Sequence, residues 1–440
     1  MSETTTAVRL HGIDLARALA IIGMVYAHLG PVEMNTLWLQ IGDALTTGFA
    51  SATFAVLAGV SLSIMSRNPS PETTHRLLAR GVILMAAGTL LELIQSSIYI
   101  VLVAIGIIFV VLHPVTHWRT RWIVLLFTLL VPLSAGLQVF SAWMGTSATV
   151  LSSPYPAVTW LTYGTLGILI HRTLVKSLLL QITFCILGIV VAAAGLLLRA
   201  LLDDPQKMPQ LLWIFISPEP HDGGIIDVLA SCGAALTTIT LCLVIARCFS
   251  KPLYPLRALG AMSLTFYVCH IITAGPILDA QHQSETTGVN PLQQPTVSTV
   301  AAVSDPMETH WSEYQDLVRS HNTYTEFSAE EAQFFERIYS HHQDNLKDTY
   351  AESPNHMPVF WTTLIVGLLF APIWRLFFRR GPFEWAMHSL IERSVSSPVS
   401  KELADKAPKT SIAAGIDLQN GNQSKGGSHG RNTSPEGRLS

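Results

Sequence analysis

Stretches of apolar residues long enough to cross a bilayer, about 20 residues each, recur along the chain and are separated by short polar segments. They predict helices over approximately 14–30, 43–65, 77–95, 97–113, 121–141, 157–174, 177–200, 225–247, 257–278 and 357–377. The expected fold is all-α, a polytopic membrane bundle of about ten transmembrane helices.

Charge orients the pattern. With the N-terminus cytoplasmic, the loops on that side carry Arg67, Arg76 and Arg80, then Arg119 and Arg121, then Arg172 and Lys176, then Arg247, Lys251 and Arg257. Opposite loops carry almost no basic residue: 142–156 is uncharged, and 201–224 sets Lys207 against Asp203, Asp204, Glu219 and Asp222. Lys and Arg resist translocation, so both termini are expected in the cytoplasm.

Two segments break the membrane pattern. Residues 279–356 read as an extracytoplasmic acidic loop with a short amphipathic helix from Ser328, which opens on the capping-box pair Ser328 and Glu331. His310, His321, His341, His342 and His356 lie there, and the adjacent His341 and His342 are read as solvated, with no metal expected. Residues 396–440, rich in Ser, Gly, Lys and Asn, read as a disordered cytoplasmic tail. The remaining divisions are a bundle of nine helices over 1–278 and a last helix with its juxtamembrane segment over 357–395.

Composition agrees with the pattern: 49% of residues are hydrophobic and 13% charged, with a mean hydropathy of +0.40. A net charge of -3 and the lack of a basic patch give no support to nucleic-acid binding. Cys185, Cys232, Cys242, Cys248 and Cys269 fall in or beside apolar segments without metal-ligand spacing and read as packing residues. The first apolar run lacks a small-x-small cleavage pattern and is read as a retained helix.

Candidate chemistry concentrates in residues 9–30, RLHGIDLARALAIIGMVYAHLG. The eleven-residue step from Arg17 to His28 covers roughly 16 Å and returns to within about 20° of the same helix face. One stripe therefore carries Asp14, Arg17, Ile21, Met24 and His28, with the first two toward one membrane surface and His28 toward the other. Ionisable groups within a bilayer face a protein interior, a cavity or a partner. Two readings stand: an active-site stripe, or headgroup anchors with an interfacial histidine.

Near the His28 end, Asp43, Glu92 and the run His221-Asp222-Gly223-Gly224 could converge, because a histidine base is well served by an orienting carboxylate. Glu92 equally suits an interhelical hydrogen bond. In SLTFYVCH, Ser263, Tyr267 and His270 share a face that either packs or lines a substrate path. Small residues in GFASATFAVLAGVSL allow tight helix contact, so Gly59 and Ser61 read as structural. Walker A loops, dinucleotide fingerprints and HExxH do not occur.

RLHGIDLARALAIIGMVYAHL resembles the first-helix motif of the transmembrane acyltransferase superfamily, which includes the acyltransferase family three sugar O-acyltransferases. More closely, the chain resembles bacterial relatives of heparan-α-glucosaminide N-acetyltransferase. The similarity continues through FAVLAGVSLSI, PYPAVTWLTYGTLGILIHR, PHDGGIIDVLASCGAAL, LRALGAMSLTFYVCHI and FRRGPFEWAMHSL. This resemblance implies a multi-pass protein of the cytoplasmic (plasma) membrane that moves an acetyl group from cytoplasmic acetyl-CoA to a hydroxyl or amine of a cell-envelope glycan or glycolipid on the outer side. By motif position, His28 would be the base or transient acyl carrier, Arg17 would hold the donor phosphates, and His270 would line the path. Residues 31–42 lack the loop histidine of the glucosaminide enzyme, and PHDGG stands where a PHSGT-like sequence is expected, so His28 follows the O-acyltransferase pattern. The other function that buried charges on a stripe would serve is a transporter or flippase of envelope precursors.

Overall fold

The computed structural model describes residues 11–30, 36–93, 98–144, 156–174, 177–202, 208–249, 251–287 and 357–395, with side chains described to 276 in the segment that ends at 287. The capping-box segment from Ser328, the five loop histidines and the tail lie outside the described residues. Among those described, every regular element is helical. The elements are α1 (His11–Leu29), α2 (Leu37–Thr46), α3 (Phe49–Met65), α4 (Pro71–Glu92), α5 (Leu102–Leu112), a 3-10 turn (Pro114–His117), α6 (Thr120–Trp143), α7 (Ala157–Thr173), α8 (Leu178–Leu201), α9 (Gln210–Ile216), α10 (Ile225–Cys248), α11 (Tyr254–Ala261), α12 (Ser263–Thr287), α13 (Met357–Phe377) and α14 (Pro382–Val395).

Six stretches are long and apolar enough to cross a membrane: α1, α2 with α3, α6, α8, α10 and α13, and the bent pair α11 and α12 makes a seventh if counted as one span. Two of the expected continuous helices are broken. The first breaks at Gly48, whose φ of 82° lies where side chains are disfavoured. Thr46 and Thr47 bond back to the Gly42 carbonyl and the Asp43 carboxylate there, ending α2. A side chain at Gly48 would also strike Pro220, which packs against this break. The second breaks at Met262, where α11 and α12 meet at 78°.

At that corner the Glu384 carboxylate of α14 accepts from the backbone N–H groups of Leu264 (2.7 Å) and Thr265 (3.1 Å) and from the Thr265 hydroxyl (2.5 Å). A helix start leaves unpaired N–H donors and carries partial positive charge, so an acid from elsewhere in the chain is a natural cap. α4 begins six residues earlier than expected: Ser70 caps it by accepting from the Thr73 N–H, and Pro71 occupies its first turn. Arg76 and Arg80 are consequently helix residues, not loop residues.

α1 is the axis of the bundle. It is buried along most of its length, against α10, α11 and α3. In a bilayer, packing rather than water exclusion holds helices together, so small residues set the closest crossings. Gly59 of α3 meets Gly164 and Gly167 of α7 so closely that an added Cβ would enter the facing backbone, and Gly188 of α8 faces Gly233 of α10 in the same way. α8 and α13 expose rows of large apolar side chains, among them Ile186 and Val190, and Ile365 and Leu369, which suit contact with lipid.

Candidate active site

His28 ends α1 with its Nδ1 buried and without a hydrogen-bond partner. Its ring stacks on that of His270 from α12, with centroids 5.7 Å apart and planes 11° from parallel. His270 is 1% exposed. Neither of its ring nitrogens makes a well-formed hydrogen bond. The third histidine, His221, comes within electrostatic range of His28 from the loop before α10.

That loop is tightly held. His221 has a positive φ of 69°, and Gly223 one of 74°. A non-glycine residue in this region is strained and persists only where its surroundings fix it. Here the fixing groups are visible: Asp227 of α10 accepts from the Gly223 N–H (3.0 Å), Asp222 accepts from the Ser217 hydroxyl (2.7 Å), and Ser134 of α6 donates to the Gly223 carbonyl (3.2 Å). Burial lowers the His221 pKa below its ordinary value, which favours the neutral imidazole, and burial raises that of Asp222.

Tyr267 links this cluster to the other end of the bundle. Its ring lies edge-on to His270 at 5.2 Å and stacks on Phe54 at 6.2 Å, and its hydroxyl accepts from the Val101 N–H at 3.0 Å. The opposite side of Tyr267 lines a cavity of about 150 Å³ that reaches Arg17, Ser61, Arg80 and Glu384 through walls of Leu57, Leu84, Ile105 and Phe109.

Arg17 pairs with Asp14 at 3.2 Å and donates to the Ser61 hydroxyl at 2.6 Å. Arg80 lies over the Phe109 ring at 5.4 Å, its Nε buried without a hydrogen-bond partner. Two guanidinium groups therefore share one cavity, with Glu384 close enough to act on Arg80 while its carboxylate is engaged by α12. An anion entering there would relieve the repulsion between them.

On α1, Asp14, Ile21 and Met24 are buried, Arg17 pairs with Asp14, and His28 lies in the last turn. His28, His270 and Tyr267 lie together, with His221 near His28. Asp43 remains on α2, where its described contacts are Thr47 and Tyr26. Glu92 is exposed at the end of α4. Asp222 faces Ser217 within its own loop. Ser61, read as structural, instead lines the cavity and binds Arg17.

Arg80, Asp227 and Glu384 were missed. An acid inside the apolar run IIDVLAS and an arginine two turns after a Ser-Pro helix start were available signals. Glu384 had none, because its partners lie about 120 positions away. Among the described residues, no group of three His, Cys, Asp or Glu side chains could hold a metal ion, and all five cysteines are free.

Residues 9–177, less than half of the chain, match the model of the family described as heparan-alpha-glucosaminide N-acetyltransferase, catalytic. Over these residues the chain is similar to that family. A comparison with curated proteins finds no match. The N-acetyltransferase-like segment contains Arg17, His28, Ser61 and Arg80, whereas His221, Tyr267, His270 and Glu384 lie beyond it. The family match thus covers the arginine end and His28, and the later helices supply the rest of the site.

Proposed function

We propose that the protein is an integral membrane acyltransferase. It takes an acetyl group from acetyl-coenzyme A at the Arg17 and Arg80 end and delivers it to a hydroxyl or amine of a cell-envelope glycan or glycolipid at the His28 end. The observation that carries this reading is the unbroken row from the two arginines through the cavity to Tyr267, His270 and His28.

The residues suit the donor. Planar guanidinium groups match phosphate oxygens, and the apolar cavity walls suit a thin acyl-bearing arm. A volume of about 150 Å³ is small beside the roughly 300–1,000 Å³ of a whole-ligand pocket, so the nucleotide part would stay at the mouth. Acetyl-coenzyme A supplies the activated acyl group as a thioester. His28 takes the proton from the acceptor hydroxyl or amine as its oxygen or nitrogen bonds to the acyl carbon; the acyl C–S bond then breaks, and coenzyme A leaves as the thiol after taking up a proton, which restores neutral His28 for the next cycle. The stacked His270 ring orients His28, and Asp14 offsets the charge of Arg17 so that one guanidinium arm remains for Ser61 or the donor.

Orientation follows the distribution of basic residues, with the arginine end cytoplasmic. α4, α5 and α7, added to the six spans and the bent pair, would give the ten crossings expected from sequence. The membrane would then be a bacterial cytoplasmic membrane, as the resemblance implies. Comparative mass spectrometry of envelope glycans and lipids from cells with and without the protein tests the class. A mass difference of one acetyl group supports acyl transfer, and export of an unmodified envelope precursor supports the transporter reading instead.

A further inference from the structure

A second cavity opens beside the histidine cluster. It has a volume of about 400 Å³ and lies between α11 and α12 on one side and α13 on the other, walled by Phe266, Cys269, Val366, Phe370 and Ala371. Three of its four threonine hydroxyls are turned to their own structure: Thr273 donates to the Cys269 carbonyl, Thr362 to the Pro358 carbonyl and Thr265 to Glu384. The surface they leave is methyl and hydrocarbon. His270 also lines this groove, and its ring nitrogens lack well-formed hydrogen bonds.

The solvent outside this groove is the bilayer. α13 turns Trp361, Ile365, Leu369 and Ile373 outward, and Cys269 and Val366 are exposed where the groove opens. Along α12 the lining runs from Thr265 to Thr273, roughly 12 Å at 1.5 Å per residue. That is close to one leaflet of a hydrocarbon core about 30 Å thick.

We infer that the groove between α12 and α13 holds one hydrocarbon chain of a lipid-borne acceptor, which enters sideways from the membrane and sets its polar head beside His270 and His28. The inference rests on the acyltransferase reading and narrows its acceptor to an amphiphile. An apolar wall interrupted by one buried imidazole fits a molecule with a long chain and a hydrogen-bonding head. A soluble glycan would leave the groove without a use.

The test uses the full chain in phosphatidylcholine vesicles and a hexadecyl glucosaminide with a diazirine in its chain. After illumination, label should collect in peptides containing Cys269 and Val366, saturate, and be competed by unlabelled hexadecyl glucosaminide but not by glucosamine. Val366→Trp and Thr273→Trp, both at exposed positions, should reduce it to the level on lipid-facing α8. Label on the groove that never exceeds that on α8, or that persists in both variants, overturns the inference. Photolabelling needs no turnover. A labelled groove in a protein that transfers no acetyl would therefore sink the acyltransferase reading alone, and acetyl transfer to glucosamine with an unlabelled groove would sink the lipid-chain inference alone.

Discussion

His221 shows how a single residue can separate conformation from chemistry. Its positive φ is a glycine-like conformation, so His221→Gly should keep the loop and remove only the imidazole, whereas His221→Ala keeps the strain. Thermal unfolding in detergent should leave the glycine variant at least as stable as the parent at neutral pH. The same residue sets a pH dependence. Burial holds its pKa below the ordinary 6.5, so the unfolded chain is protonated first, and stability that is full above this value falls as pH drops through the folded one. Asp222, raised by burial, works in the opposite sense and loses its contribution as pH rises through its folded value. On acidification below about pH 6.5, the parent should therefore lose more, or gain less, in unfolding temperature than His221→Gly. At the other end, Arg80→Gln should raise the KM for acetyl-coenzyme A with a smaller effect on kcat, because it removes ground-state binding. The step from Arg17 to His28 was legible because helix period is local. Arg80 was not, because the polar lead-in PETTHR hid the true start of α4 at Ser70 and Pro71.

Among elements, α12 depends on a partner remote in sequence. Glu384 satisfies two backbone donors at its start and lies beside the cavity. Glu384→Ala should cost roughly 1–3 kcal/mol by leaving those donors unmatched, read as lower unfolding temperature, while Glu384→Gln should recover part of the loss. Gly59 is a test of packing: Gly59→Leu would force α3 away from α7 and should prevent recovery of folded protein from detergent, as size-exclusion chromatography would report. Sequence patterning placed helices at α1, α3, α6, α7, α8, α10 and α13, where long apolar runs set them, but started α4 six residues late and did not expect α9 or α14. It read α2 with α3 and α11 with α12 as continuous, because the breaks come from Gly48 under Pro220 and from Glu384 at the corner. Neither contact has a local signature.

At the scale of the whole molecule, the cavity that holds the charged groups and the histidine pair are linked by ring contacts through Tyr267. The cavity was not legible from sequence, because it is formed by side chains of α1, α3, α4, α5, α12 and α14 together. Transfer of an acetyl group from one to the other is tested most directly in sided vesicles, with radiolabelled acetyl-coenzyme A confined to the face bearing Arg17 and a hexadecyl glucosaminide acceptor presented on the face bearing His28. Label should appear in the acceptor with wild-type protein and be lost in folded His28→Ala. No transfer by the wild type, or equal transfer by His28→Ala, would contradict a reaction built on His28.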